Sequence, residues 1–187
     1  MAKLTENEGK VLVKLARKSI KTYFEKKEPE IDPNKLPKSL KEKRGVFVTL
    51  KKDKKLRGCI GYPYATKPLY EAVILSARSS AFSDPRFFPL RENELDEIKI
   101  EISILSEPEE LKGDPKDYPK QIEIGKHGLI VKRGLVSGLL LPQVSKQFHW
   151  DAETFLIQTC IKANLPGDSW LDKNTKVYRF TAQIFTE

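Results

Sequence analysis

The sequence is poor in sulfur, in histidine and in long apolar runs, and for so basic a chain it uses little arginine. Its 187 residues include two cysteines, Cys59 and Cys160, one methionine and two histidines. Two distant cysteines cannot build a disulfide framework, so both are expected as free thiols. No CxxC or HxxxH spacing occurs, and a metal site would have to gather Cys59, His127, His149 and Cys160 from separate segments, which spacing does not support. No apolar run approaches the roughly 18 residues of a membrane span. The opening MAKLTENEGK lacks the apolar stretch of a signal peptide, so the expectation is a soluble, cytoplasmic protein. Arginine numbers 8 against 26 lysines. Its planar fork, rather than the lysine ammonium, suits bidentate phosphate recognition, so the charge reads first as a solvated lysine-rich face.

What is present is a chain long enough for one substantial core, read as a single domain over residues 1–187 with room for two lobes. The net charge of +8 is uneven. Residues 1–60 carry 18 basic and 8 acidic side chains, and residues 61–187 carry 16 and 18. Such asymmetry also fits a surface for nucleic acid or another polyanion. Abundant Lys and Glu with little Cys and Met fit a protein from a hot environment.

Hydrophobic periodicity supplies the elements. Thr5 and Glu8 form a capping box ahead of Leu12, Leu15, Ala16, Ser19, Ile20, Tyr23 and Phe24, the stripe of an amphipathic helix. Residues 28–44 hold three prolines and read as an exposed connection with at most a short helix. GVFVTL alternates into a strand, KKDKK turns, and LRGCIGY returns as the hairpin partner. Thr66 and Pro68 start a second helix with a small-residue face including Ser76, Ala77 and Ser80, which SDPRFFPL breaks. IKIEISIL is a half-buried strand. Residues 107–120 read as a loop, and QIEIGKHGLIVKRG as a hairpin turning at Lys126 and His127. Pro142 ends any ladder formed by LVSGLLLPQV. Asp151 caps a helix showing Phe155, Leu156, Thr159 and Cys160, with Asn164 as its left-handed terminator. The last strand, KVYRFTAQIF, places Tyr178, Phe180, Ala182 and Ile184 together. Hairpins interrupted by helices give an α+β fold with a mostly antiparallel sheet flanked by helices.

In an extended LRGCIGY, Arg57, Cys59 and Gly61 share one face. Interior glycine costs about 0.5 to 1 kcal/mol relative to alanine, so Gly58 and Gly61 require a bulge, a close backbone or a ligand to offset them. Cys59 reads as a thiolate assisted by Arg57 or as a small buried hydrophobe. Cys160, beside Leu156, reads as core. Asp84 either bonds its own turn or reaches Arg57 or Arg86. His127 is a candidate general acid or base at neutral pH, or simply an exposed hairpin residue. Candidate catalytic residues are therefore Cys59, Asp84 and His127, and candidate binding residues Arg57, Gly58, Gly61 and Arg86.

LRGCIG, AFSDPRFFPL, EISILS, IGKHGLIV, SGLLLPQV and FLIQTCIKANLP, in this order, resemble the family of the Alport syndrome, midface hypoplasia and elliptocytosis chromosomal-region protein. Its prokaryotic members are also called protein A of the AmmeMemoRadiSam system. The resemblance runs from about residue 8 to the end of the chain, with Asn164 standing where many relatives have glycine. It implies a larger lobe from both chain ends, a smaller lobe from the middle, and the LRGCIG strand near their junction. It implies no reaction and no cofactor, but it points to partnership with a Memo-like protein and a radical S-adenosylmethionine protein. The function expected is an enzyme or a binding protein for an anionic, nucleotide-like small molecule around the LRGCIG strand. The alternatives are an adaptor for those partners and a nucleic-acid binder using the basic N-terminal third.

Overall fold

The computed structural model describes residues 3–187, an α+β fold in two compact units. The larger unit takes both ends of the chain, residues up to 105 and 183–187, and the smaller takes 106–182.

In the first unit, α1 (Glu6–Phe24) starts where the Thr5 hydroxyl accepts the Glu8 N–H while the Glu8 carboxylate accepts the Thr5 N–H. That reciprocal cap satisfies two otherwise orphaned donors. The stripe predicted from spacing is buried as far as Ile20, with Leu12, Ala16 and Ile20 fully covered, but Tyr23 near its end is exposed. The connection after α1 contains a 3-10 turn, Pro33–Lys35, and one short α-helix, α2 (Lys38–Lys41). Strand β1 (Gly45–Lys52) lies between β2 (Lys55–Tyr62) and β3 (Ile98–Leu105), antiparallel to both, which leaves β2 at an edge. Asp53 and Lys54 turn the β1–β2 hairpin with φ of 50° and 63°. Two successive left-handed residues match the right-handed strand twist, and neither is the glycine or asparagine that adopts this backbone cheaply. Helix α3 (Leu69–Phe82) packs its small face, Ala72, Ser76, Ala77 and Ser80, toward the sheet. The core joins α1, α3, β1 and β3.

The end of β7 (Lys176–Thr186) completes this unit. The Gln183 amide bonds both Leu4 N–H and Leu4 carbonyl, and the Glu187 N–H donates to the Ile100 carbonyl. Arg17 clasps the Glu187 carboxylate and donates to the Ile98 carbonyl at 2.8 Å. Phe185 lies on Gly9, where a Cβ would come within 2.0 Å of the ring.

The second unit is built on β5 (His127–Arg133), paired antiparallel with β6 (Val136–Leu140) and with the start of β7. A two-residue strand, β4 (Glu109–Glu110), lies on the far side of β7. The hairpin therefore turns at Gly134 and Leu135, not at Lys126 and His127 as spacing predicts. Residues 122–126 alternate like a strand but form a turn, in which Gly125 takes a φ of 81° and Lys126 and His127 both donate to the Glu123 carbonyl. Pro142 ends β6 as expected, and it does so by opening a short helix that spacing did not reveal, α4 (Pro142–Gln147). Helix α5 (Ala152–Lys162) is capped by Asp151, and Asn164 follows it with a φ of 58°, the left-handed end read from the sequence. Cys160 is fully buried with Phe155, Leu156, Trp170 and Val177. The single face expected for β7 fails, because Val177, Phe180 and Phe185 are its buried positions while Ile184 is 42% exposed. Val177 and Phe185 share one parity and enter the two separate cores, while Phe180, of the opposite parity, is buried outside both.

Candidate functional site

The glycines of β2 are explained by backbone. A Cβ at Gly58 would lie 2.0 Å from the Ser80 carbonyl oxygen of α3, and one at Gly61 would lie 2.2 Å from the Val46 carbonyl oxygen. The Ser80 hydroxyl uses this closeness, donating to the Val48 carbonyl at 2.7 Å and accepting the Ile60 N–H at 2.8 Å. The register also slips: Leu50 faces Gly58 but Lys51 faces Leu56, so Arg57 is the extra residue of a β-bulge. Bulges re-aim the side chain they carry.

That re-aiming takes Arg57 away from the thiol. Its guanidinium makes a bidentate pair with Glu94, at 3.0 and 2.9 Å, and donates to the Phe88 carbonyl at 3.0 Å. These hydrogen bonds, ahead of the opposing effect of burial, hold the Glu94 carboxyl at about 2. The cation that acts on Cys59 is Arg86. Cys59 is half-buried and accepts a hydrogen bond from the Thr49 hydroxyl at 3.3 Å. Burial pushes its thiol above the usual range, outweighing Thr49 and Arg86, and Asp84 and Glu101 push it the same way. The arrangement keeps the sulfur protonated at neutral pH, the reverse of an activated thiolate. On the same face, Lys51 pairs with the buried Glu101 at 2.7 Å.

Asp84 and Arg86 form a latch on the open edge of β2. The buried Asp84 carboxylate accepts the Cys59 N–H at 2.8 Å and the Arg86 N–H at 3.1 Å, and it takes the Arg86 guanidinium at 2.9 and 2.7 Å. Arg86 in turn donates to the Cys59 carbonyl at 3.1 Å. An edge strand exposes backbone groups that recruit other strands, and here one residue's two groups are both occupied. Burial raises the Asp84 pKa, but the Arg86 side chain and the two backbone donors outweigh it and bring it to about 2. A carboxylate held there by four donors stays ionised and has no proton to exchange near neutrality.

His127 belongs to the second unit, and its described partners all lie there. Its Nδ1 accepts the Glu123 N–H at 2.9 Å, which leaves the ring proton on Nε2. Burial, then Arg179 and Lys126, push its pKa below the ordinary value, so the ring is neutral at pH 7. The structure thus gathers Arg57, Gly58, Cys59, Gly61, Asp84 and Arg86 around one strand, with His127 tied into a different set of neighbours.

The loop that carries the latch also borders a shallow recess of about 440 Å³, edged by Lys52, Arg57, Arg86, Phe88, Arg91 and Glu94. Phe88 is 90% exposed although its carbonyl is fastened by Arg57. Lys52 pairs with Glu94 and Glu97, while the Arg91 guanidinium has no acidic partner among the described residues. Phe88, Arg91 and Glu94 were not singled out from the sequence. The signal available was RFFPLRENE, in which an aromatic pair stands between two arginines.

The profile of the AMMECR1 family matches residues 13–185. A protein of Pyrococcus abyssi is 51% identical over all of this chain and 94% of its own length, and one of Methanopyrus kandleri is 53% identical over 99% and 91%. The crystal structure of an uncharacterized protein, PH0010 from Pyrococcus horikoshii, superposes with a TM-score of 0.95 at 47% identity, covering 98% of this chain and 93% of that one. With the family profile spanning nearly the whole chain and archaeal relatives matching it from end to end, the protein belongs to the AMMECR1 family.

Proposed function

We propose that the protein binds an anionic ligand bearing a planar ring, of the nucleotide class, at the recess beside β2, and that it does so without covalent chemistry at Cys59. The observation that carries this reading is Phe88: a large ring held by its backbone and left in solvent, beside Arg91, whose guanidinium has no acidic partner among the described residues. A fixed, uncovered aromatic is a stacking surface for a base, worth about 1 to 3 kcal/mol per base, and an unpaired guanidinium is a phosphate donor. Lys52, Arg57 and Arg86 have carboxylates already, so they shape the recess and set its field more than they grip the ligand. The raised Cys59 thiol and the ionised Asp84 both weigh against nucleophilic or acid-base roles there.

Calorimetric titration with adenosine monophosphate at low salt tests the reading. A dissociation constant of about 0.1 to 1 mM is expected. Phe88→Ala and Arg91→Ala should each weaken it by about tenfold, and Cys59→Ser should leave it unchanged. Absence of heat at millimolar nucleotide, or binding indifferent to Phe88 and Arg91, would overturn it.

A further inference from the structure

The recess is open where the ligand would enter. Small-molecule sites bury about 70 to 90% of their ligand, and a ring that is itself 90% exposed cannot wall off a free nucleotide. The cations able to take a phosphate do not converge either. Those inside the recess, Lys52, Arg57 and Arg86, are paired with carboxylates. Those without an acidic partner among the described residues are Lys54 and Lys55, at the β1–β2 turn outside the recess, and Arg91 on its edge, all exposed. Lys55 stands opposite Lys52 in the ladder, so the turn continues directly from the rim of the recess. The whole first unit is positive, with 23 basic against 16 acidic side chains.

From this placement we infer that the ligand is a single-stranded nucleic acid, lying across the rim with one base stacked on Phe88 and its backbone phosphates taken by Arg91, Lys54 and Lys55. The inference rests on the proposed nucleotide reading and extends it from a monomer to a strand. A free aromatic face requires an unstacked base, which a duplex does not offer without distortion. Separated cations suit a ligand whose charges are spaced along its length. The ring is base-tolerant, so RNA and DNA share the chemistry, and only a contact to the 2′-hydroxyl would separate them.

Fluorescence anisotropy with labelled eight-residue oligo(U) and oligo(dT), beside the titration with adenosine monophosphate, tests it. The oligonucleotides should bind at least tenfold more tightly than the monomer. With about 0.7 counterion released per phosphate on a single strand, three contacts predict a log-log salt slope near −2. Arg91→Ala should reduce that slope by about 0.7, and Phe88→Ala, a change at an exposed ring, should cost about tenfold at unchanged slope while circular dichroism stays native. Preference for oligo(U) alone would support the inference and assign it to RNA. Equal affinity for monomer and oligomer would overturn the inference and leave the nucleotide reading standing; no binding of either would remove both. Displacement by polyglutamate as readily as by oligo(U), with no effect of Phe88→Ala, would also overturn it in favour of an acidic protein partner.

Discussion

Each unit seats a helix on an edge strand through a glycine, and the two differ in what happens next to it. In the first, the Ser80 carbonyl of α3 occupies the place of a Gly58 side chain; in the second, Gly138 of β6 has the Ala163 nitrogen 2.5 Å from where its Cβ would be. The strand β2 then carries a bulge, a buried carboxylate on its backbone and a bidentate pair beside it. Among the described residues strand β6 carries none of these, and its turn leaves Leu135 fully exposed. The ion pairs differ in the same way. Around β2, the Asp84 and Glu94 side chains are 1% and 13% exposed, whereas Glu123, Asp117 and Glu109 of the second unit are 62%, 54% and 68% exposed. Close helix packing therefore explains the glycines in both places, and only β2 has polar groups arranged to fix one local geometry.

The largest effects test the shared device. Gly58→Val and Gly138→Val should each cost about 4 kcal/mol or more in urea unfolding, because the clash is with main chain that cannot rotate away. If one of them is tolerated, the parallel between the strands fails. Acid separates the two units next. Asp84 and Glu94 titrate at about 2 in the folded protein, against ordinary values near 4. A carboxylate with a lowered folded pKa stabilises above its unfolded value and loses that contribution as pH falls through the folded one. Stability should thus drop between about pH 4 and pH 2, by about 2 kcal/mol for each carboxylate. Arg57→Ala, which removes the main cause of the Glu94 shift, should shrink that drop.

Single pairs give a smaller contrast. Asp84→Asn should cost about 2 kcal/mol, because it weakens the hold on the Cys59 N–H and unpairs Arg86. Glu109→Gln, which breaks the exposed pair with Arg179, should cost less than about 0.5 kcal/mol. Equal costs would mean that burial is not what distinguishes the two. The smallest effect is a gain: Lys54→Gly should stabilise the β1–β2 turn by about 0.5 to 1 kcal/mol, since a left-handed φ is free for glycine and strained for lysine. Thermal unfolding of the two proteins side by side would resolve it.

Local rules carried the reading of the sequence as far as local physics extends. The Thr5–Glu8 cap, the α1 stripe, the Asp53–Lys54 turn and the Asn164 terminator are each decided within a few residues, and each was legible. The β5–β6 hairpin was misplaced because QIEIG alternates as a strand does, while the pairing is settled by β7, some fifty residues on. The burial along β7 was misread because period two presumes one buried face per strand, whereas Val177 and Phe185 enter the cores from one face and Phe180 is buried on the other. At the candidate site, the glycines announced close contact but not its partners, a helix carbonyl at Gly58 and a strand carbonyl at Gly61. Asp84 was named as a group for Arg57 or Arg86 and pairs with Arg86; its bond to the Cys59 N–H spans 25 residues and has no sequence signature. Glu94 was missed because nothing in its neighbourhood specifies that a bulge will turn Arg57 toward it.

The first unit needs residues 183–187 to finish its sheet and to cover Gly9 with Phe185. Those residues leave the ribosome only after the 77 residues of the second unit have been made. At synthesis rates of about 5 to 20 residues per second, the nascent first unit waits roughly 4 to 15 s with the Gly9 side of its opening helix uncovered. During translation the middle of the chain can close before the beginning does.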